Sequence, residues 1–440
     1  MLKTRKELCA QGLYATVKGC FIKKFLQASC HDVKTKTKVK TQTGISIIDC
    51  LMSGVALFAL KFPSLLQYDI KRRRPLVANN LKVLFGVQQT PCDTYMRERL
   101  DVIEPQSLRS AFKAIFAVAQ RGKALEPYQY LEGKYLLSVD GTGHFSSGSV
   151  HCENCCVKES RKGQTTYYHQ MLAAVIVHPD QRQVIPLAPE PIVKKHGTTK
   201  NDCERNAAKR LLEDVRREHP HLGLIVVEDS LASNGPHIQE LKRHKMSYIL
   251  GVKPGDHAFL FDWVRDSDKQ TYEEIDKQGT LHRYSFVNDV PLNDTHFDLK
   301  VNFLEYWETD KKGNKKHFSW VTDIDLKRSN VSAIMKGGRA RWRIENNTFN
   351  TLKNQGYNFE HNFGHGYRNL CTVLGLLMML AFLIDQVQEL TCQVFKKARR
   401  LTGSYRSLWE NIRALFIYFN LECWDDLMDR LIKANTPNTS

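Results

Sequence analysis

The sequence predicts a mixed α/β protein, in which apolar runs of strand length alternate with amphipathic helical segments through the middle and helical patterns dominate both ends. Three observations carry this. From residue 134 the segments follow the order β-β-β-α-β-α-β, which suits one mixed sheet with helices on its faces. Two of these strands, LLSVD and IVVED, finish on an aspartate. At 440 residues, with 42% hydrophobic and 25% charged residues, the chain has an ordinary globular composition and room for two or three domains.

The first 125 residues read as helical and basic. Residues 1–100 hold 18 Lys and Arg against 6 Asp and Glu, so the net charge of +17 is concentrated at this end. Such charge attracts a polyanion, because each phosphate neutralised releases condensed counterions. Nucleic acid is the leading partner; a solvated face or an anionic lipid surface is the other reading. A basic run at 34–40 precedes an apolar segment at 45–60, which reads as a buried helix interrupted by Asp49. A second basic run, KRRRP at 71–75, could meet phosphates or stand solvated. Residues 80–100 read as helix, Gly86 turn, helix, with Thr90 as N-cap and Pro91 in the first position. If this is a helix-turn-helix, its second helix carries Tyr95, Arg97 and Arg99 toward DNA; a plain helical hairpin has the same spacing. Residues 107–120 form a further helical pattern.

Strands are expected at 134–140, 167–177, 183–190, 223–229 and 247–252, and helices at 201–219 and 234–245. Residues 253–320 alternate polar and apolar positions between turn signals, as a β-rich insertion would. Helix resumes near Val331, again over 339–356, and through most of 368–433. The apolar run at 370–384 is shorter than the roughly 20 residues of a spanning helix and reads as a buried core helix, with no membrane expected. Twelve scattered cysteines in a chain of this size point to a reducing compartment, and the first 30 residues lack the continuous apolar run of a signal peptide.

Asp140 and Asp229, as strand ends, would emerge at the carboxyl edge of one sheet, where open α/β folds bind ligands. A carboxylate in such a place binds a cation or metal, or caps a turn or the next helix. On the helix at 339–356, Arg341, Glu345 and Phe349 share one stripe. With Phe349 against the sheet, Glu345 would lie near the sheet edge beside Arg341; the alternative is a surface ion pair worth about 0.3–0.5 kcal/mol.

The strings LSVDGT, VVEDSLASNGPHI and RWRIENNTFNTLKNQG, in that order, resemble the DDE transposases of bacterial insertion sequences, in the branch with a β-rich insertion before the catalytic Glu and a Tyr-Arg-Glu-Lys type signature. The resemblance runs over about residues 134–365. It implies a ribonuclease H-like mixed sheet with helices on both faces. The organisation expected is a helical basic DNA-binding region (1–125), the first part of the catalytic domain (126–252), the insertion (253–320), the catalytic helix (321–365) and a helical C-terminal region (366–440). Asp140, Asp229 and Glu345 are then the catalytic residues and the ligands of two Mg2+ or Mn2+ ions, with Asp140 bridging. Water would free a DNA 3′ hydroxyl that attacks target DNA. Arg341 matches the Arg four places before the Glu and is a phosphate-binding candidate. The signature's Tyr falls at Gly338 and its Lys at Leu352, with Lys353 one place late. Trp307 and Trp320 stand where the branch's insertion carries an aromatic that can hold a base, or pack in the core. Transposon terminal inverted repeats and target DNA are the expected partners, in a dimer or larger complex, in the cytoplasm on the nucleoid. A catalytically silent DNA-binding relative and a ribonuclease H-like nuclease that cuts without joining are the alternatives.

Between the first two strands the stretch from His144 to His169 contains Cys152, Cys155 and Cys156. A CxxC with flanking histidine suits tetrahedral Zn2+, so Cys152, Cys155, Cys156 and His151 are candidate ligands of a structural zinc; free thiols are the other reading. His361 and His365 read as loop residues.

Overall fold

The computed structural model describes residues 44–194 and 201–436. The basic run at 34–40 lies outside the described residues.

Helices α1 (Ile47–Ala59), α2 (Leu65–Arg72), α3 (Pro75–Phe85), α4 (Asp93–Asp101) and α5 (Arg109–Arg121) come first. Ser46 caps α1 by accepting the Asp49 N–H, as a short polar side chain at a helix start does. Helix α3 stops at Gly86, whose left-handed φ of 68° a glycine adopts without cost. The N-cap of α4 is Cys92, which leaves Thr90 and Pro91 in the connection and corrects the expected helix start. Residues 86–92 thus separate the two helices, more than the 3–4 residues of a DNA-reading helix pair. The Tyr95 hydroxyl donates to the Ile45 carbonyl, 3.0 Å away. Arg99 is half-buried over the Tyr95 ring, and Arg97, paired with Asp93, points outward. Within the second basic run, Arg72 and Arg73 both pair with Asp69.

The sheet begins with β1 (Tyr135–Ser147), β2 (Cys156–Glu159) and β3 (Thr165–Val177), all antiparallel in pairs. The strand expected at 183–190 is two fragments on the edge of β3, β4 (Ile185–Pro186) and β5 (Glu190–Ile192). Pro186, Pro189 and Pro191 break it, since proline gives no N–H to a ladder. Helix α6 (Glu204–Glu218) returns the chain to β6 (Leu224–Glu228), parallel to β1, and α7 (Gly235–Arg243) leads to β7 (Ser247–Gly251), parallel to β6. An antiparallel hairpin followed by two parallel strands on its inner edge, with crossover helices, is the ribonuclease H-like arrangement.

After β7 the chain forms a helix the alternation had hidden, α8 (Ala258–Arg265), and then β8 (Gln270–Ile275), β9 (Leu281–Pro291), β10 (Lys300–Thr309) and β11 (Lys315–Thr322). These four strands are an antiparallel meander over buried Tyr284, Phe286, Phe303 and Tyr306. Its last strand pairs with β7 at Thr322↔Ile249, so the β-rich stretch prolongs the central sheet.

Helices α9 (Val331–Arg339) and α10 (Asn350–Asn354) flank a π-helical segment, Ile344–Phe349. Helices α11 (Leu370–Thr391), α12 (Gln393–Leu401), α13 (Tyr405–Tyr418) and α14 (Trp424–Asn435) end the fold. By length and hydropathy α11 could span a membrane, but 89% of its most apolar stretch is buried inside the protein. It is the axis around which the first and last helices assemble. Helix α1 crosses it at Gly54, where a Cβ would stand 2.7 Å from Leu377 Cδ1. At its N-terminus the Asp101 carboxylate, from the end of α4, accepts the N–H groups of Tyr367, Arg368, Asn369 and Leu370 at 2.9–3.0 Å. These donors have no partner inside the helix, and a negative charge there is also attracted by the positive end of the helix dipole. Further along, Lys61 Nζ lies 2.6 Å from Asp385 Oδ2, with its side chain wholly buried between the rings of Tyr357 and Trp409 at 4.0 and 4.2 Å.

Because Lys61 and Asp385 are both desolvated, removing one leaves the other as a buried unpaired charge. Lys61→Met is expected to cost about 3–5 kcal/mol of stability, and the double variant Lys61→Met/Asp385→Leu less than the two single changes summed. Urea unfolding of the three variants checks this; a loss below about 1 kcal/mol in the single variants would show that water reaches the pair.

Candidate active site

The two aspartates are placed by strand register. The parallel ladder between β1 and β6 runs Leu136↔Ile225, Leu137↔Val226, Ser138↔Val227. Two residues further on each strand stand Asp140 and Asp229, level with one another on neighbouring strands spaced about 4.8 Å apart. Asp140 does not end its strand as the sequence suggested: β1 continues to Ser147 against β3. It sits where β6 has run out, so the side of β1 that faces β6 opens just there. Asp140 accepts the Gly141 N–H at 2.9 Å. Asp229 accepts the Leu231 N–H at 3.0 Å and caps the short turn Ser230–Ala232, so part of its acceptor capacity is structural.

A third carboxylate joins them that sequence reasoning missed. Glu204, in the first turn of α6, lies against Gly141, and any Cβ at that glycine would overlap its carboxylate. The only hint in the sequence was that the helix opens on acidic residues. Burial pushes Asp140 up to about 6; Arg341 and the Gly141 N–H oppose this, while Asp229 and Glu204 add to it. Burial likewise raises Glu204, with Asp229 and Glu228 contributing. Glu228 itself points to the other face of β6, where its carboxylate meets His237 Nε2 at 2.6 Å and fastens α7. Asp140, Asp229 and Glu204 are thus close enough to repel one another at this edge of the sheet, and one cation stands beside Asp140.

That cation is Arg341, whose Nη1 is 3.6 Å from Asp140 Oδ2. Its backbone carbonyl accepts from Ser138 Oγ at 3.1 Å, which moors the start of the Glu345 segment on β1. Arg343 and Asn347 donate to the carbonyls of Pro179 and Arg182, moorings beyond β3. Ile344, Thr348, Phe349 and Leu352 are buried, whereas Glu345 is exposed, one turn from Arg341. The structure therefore gathers Asp140, Asp229, Arg341 and Glu204, and sets Glu345 on the helix moored above them.

Residues 133–383, more than half of the chain, match the family model of the transposase DDE domain. The chain belongs to the transposase DDE domain family. No curated protein matches it. Among solved structures it is similar to a piggyBac transposase, seen by cryo-electron microscopy in a synaptic complex with hairpin DNA, at 11% identity and a TM-score of 0.40, with 99% of this chain and 86% of that one covered.

Within this transposase-family domain, the other residues that the sequence singles out fall in different places. Gly338 lies flush on the Trp320 indole, which leaves no room for any side chain, and Trp320 is 5% exposed. Trp307 is half-buried, stacked on His317 with ring centroids 5.0 Å apart and with Arg283 over it. Lys353 forms an ion pair with Glu360 at 2.8 Å. Arg97 and Arg99 lie on α4, in the helical body, and are not among the groups that act on Asp140. Of the zinc candidates, Cys152 and Cys155 face each other across 3.9 Å, but Cys156 turns its thiol to the Ile192 carbonyl and His151 stacks on Tyr167 at the surface. Strand alternation explains this: Cys156 opens β2 and points to the other side of it. His169 and His365 stand in their places, and His365 is buried.

An aspartate whose folded value is raised favours the folded state while protonated and loses that contribution as pH climbs from its unfolded value of 3.8 through about 6. Asp140→Asn is therefore expected to raise the thermal midpoint above pH 7 without divalent cations, and to match the wild type near pH 4. Mn2+ should raise the midpoint of the wild type more than that of the variant. A variant less stable than the wild type at pH 8 would show that Arg341 outweighs burial.

Proposed function

We propose that this protein cleaves DNA strands at the ends of a mobile element and joins them to target DNA, with Asp140, Asp229 and Glu345 as its reaction centre. The observation that supports this most is the pair of level aspartates at the sheet edge, both within the family match, faced by an arginine one turn from an exposed glutamate. The donor set suits hard divalent cations: it is made of carboxylate oxygens, and at its centre burial and the neighbouring Asp229 and Glu204 raise Asp140, so that a cation there would relieve the site. Asp140, Asp229 and Glu345 would hold two Mg2+ or Mn2+ ions. When bound, these supply charge stabilisation on the attacking and leaving oxygens and lower the pKa of water.

The chain's own residues do the rest. Arg341 carries a permanent planar charge that can leave Asp140 for a phosphate oxygen once cations neutralise the carboxylates. Lys353 can likewise exchange Glu360 for the backbone. Glu204, beside Gly141, adds negative charge near Asp140 and so strengthens the site's demand for a cation. The nucleophile is water for strand release and then the freed 3′ hydroxyl for joining, so no side chain need bond covalently to DNA. The remaining basic charge, much of it in residues 1–43, together with Arg97 and Arg99, would bind the DNA backbone, with the transposon's terminal inverted repeats and the target as substrates. We place this action in the cytoplasm on nucleoid DNA, in a dimer or larger complex on paired ends.

Asp140→Ala, Asp229→Ala and Glu345→Ala should each lower Mn2+-dependent nicking by about 100-fold or more while mobility shifts on the same DNA stay near wild type. Glu204→Gln should reduce nicking less than any of these. Binding by the full chain should weaken steeply between low and moderate salt. Wild-type-like nicking by any of the three alanine variants would remove that residue from the centre, and a wild type that binds but never nicks would favour the silent relative.

A further inference from the structure

Four soft ligand atoms converge in the interior, away from the carboxylate site. Cys152 and Cys155 lie between β1 and β2, His169 lies on β3, and His365 lies between α10 and α11. Cys152 Sγ and Cys155 Sγ are 3.9 Å apart. Cys152 Sγ to His169 Nε2, Cys155 Sγ to His169 Nε2 and Cys155 Sγ to His365 Nε2 are each 3.3 Å. All four atoms lie within 4.8 Å of one another. A zinc tetrahedron with Zn–S near 2.3 Å and Zn–N near 2.0 Å has S···S edges of about 3.8 Å and S···N edges of about 3.5 Å. The cluster has these dimensions before any ion is considered. Its cysteines are free, and 3.9 Å is far too long for a disulfide, which measures about 2.05 Å.

The surroundings fit a closed site. The four residues are between 0% and 9% exposed, so no position is left open for a substrate. The Cys152 N–H donates to Cys155 Sγ at 3.4 Å, a backbone bond that stabilises negative charge on a ligand sulfur. No carboxylate belongs to the cluster, and two thiols with two imidazoles select zinc over the harder cations. His144 and Cys371 form a second group with His169, but it offers three ligands and must share the one imidazole.

We propose that Cys152, Cys155, His169 and His365 bind one Zn2+ as a tetrahedral structural site that clasps the β1–β2 connection and β3 to the segment between α10 and α11. The clasp joins parts of the chain about 200 residues apart in sequence, a closure for which local secondary structure supplies nothing. Its neighbours show where the force goes. The Glu153 N–H donates to the Tyr367 carbonyl, and Asn154 Nδ2 donates to the Arg368 carbonyl and the Asn369 side chain. These are the residues whose N–H groups Asp101 holds at the start of α11. The ion therefore fixes the junction through which the Glu345 helix connects to the helical body. It takes no part in the strand chemistry, and the inference stands whether or not the proposed reaction does.

Elemental analysis of the full chain, purified without a metal-binding tag under reducing conditions, should find about one zinc per chain. Cys155→Ser, His169→Gln and His365→Gln should each reduce this to near zero. Cys156→Ser and Asp140→Asn should keep it. Cobalt exchanged into the wild type should give intense visible bands of tetrahedral Co2+ and a thiolate charge-transfer band in the near ultraviolet, a readout that does not depend on the variants folding. Zinc-free wild type that gives no such cobalt spectrum would overturn the site. Full zinc in His365→Gln would overturn the clasp by removing the ligand from the second half of the chain.

Discussion

Like charges held one strand apart are costly, and the central constraint on this molecule is that Asp140 and Asp229 must nevertheless sit level at the open side of β1. The parallel register of β1 and β6 imposes this, and that register is itself set by buried side chains: Leu136, Leu137, Ile225 and Val226 are all fully enclosed. Successive residues point to opposite faces and both faces are covered, so a slip of one residue would set every one of these against the wrong neighbours. The apolar core thus holds the acidic pair in place against its own repulsion. Arg341 offsets part of the cost, and Glu204, pressed on Gly141, adds to it.

The helices at the two ends of the chain serve the same end from outside. Helix α11 is apolar on all sides over residues 370–384 and is buried there, with the first and last helices packed around it. Polar contacts then choose how they do so. Asp101 fixes where α11 starts, and Lys61 with Asp385 fixes how α1 lies along it. Val184 N–H donates to Gln386 on α11 at 3.0 Å, which ties this helical body to the edge of the sheet near β4. A fragment of the first 125 residues would lack this shared core.

Much of this was legible. The strands that carry the aspartates and the helices between them follow from apolar periodicity, which local residues determine. What failed were features decided by partners distant in sequence. The end of β1 is not legible in the sequence because its second half is held by β3 alone, while the string after Asp140 has no apolar run. Helix α8 hid in an alternating stretch because only Leu260 and Val264 of it are buried. Glu204 cannot be assigned to the site from sequence, since its place against Gly141 comes from α6 starting beside a strand about 60 residues earlier in the chain. His365 looked like a loop residue and is one, but the loop is folded onto Cys155 and His169.

The late lysine shows how a sequence irregularity can be resolved by backbone geometry. In a continuous α-helix Lys353 would lie about 80° around the axis from Glu345, off the face that the signature requires. The segment Ile344–Phe349 is instead π-helical, with hydrogen bonds from i to i+5, and such a turn takes up one extra residue. Counting that residue out, Lys353 is seven α-helical steps from Glu345, or about 20° away, on the same face as the glutamate. Inserted residues of this kind are costly in an unsupported helix. Here the moorings of Arg343 and Asn347 to the carbonyls of Pro179 and Arg182 hold the widened turn, and Thr348 and Phe349 fill the space beneath it. The π-helical turn thus sets Lys353 nearer in angle to Glu345 than an unbroken α-helix would, with the Lys353 ammonium paired to Glu360.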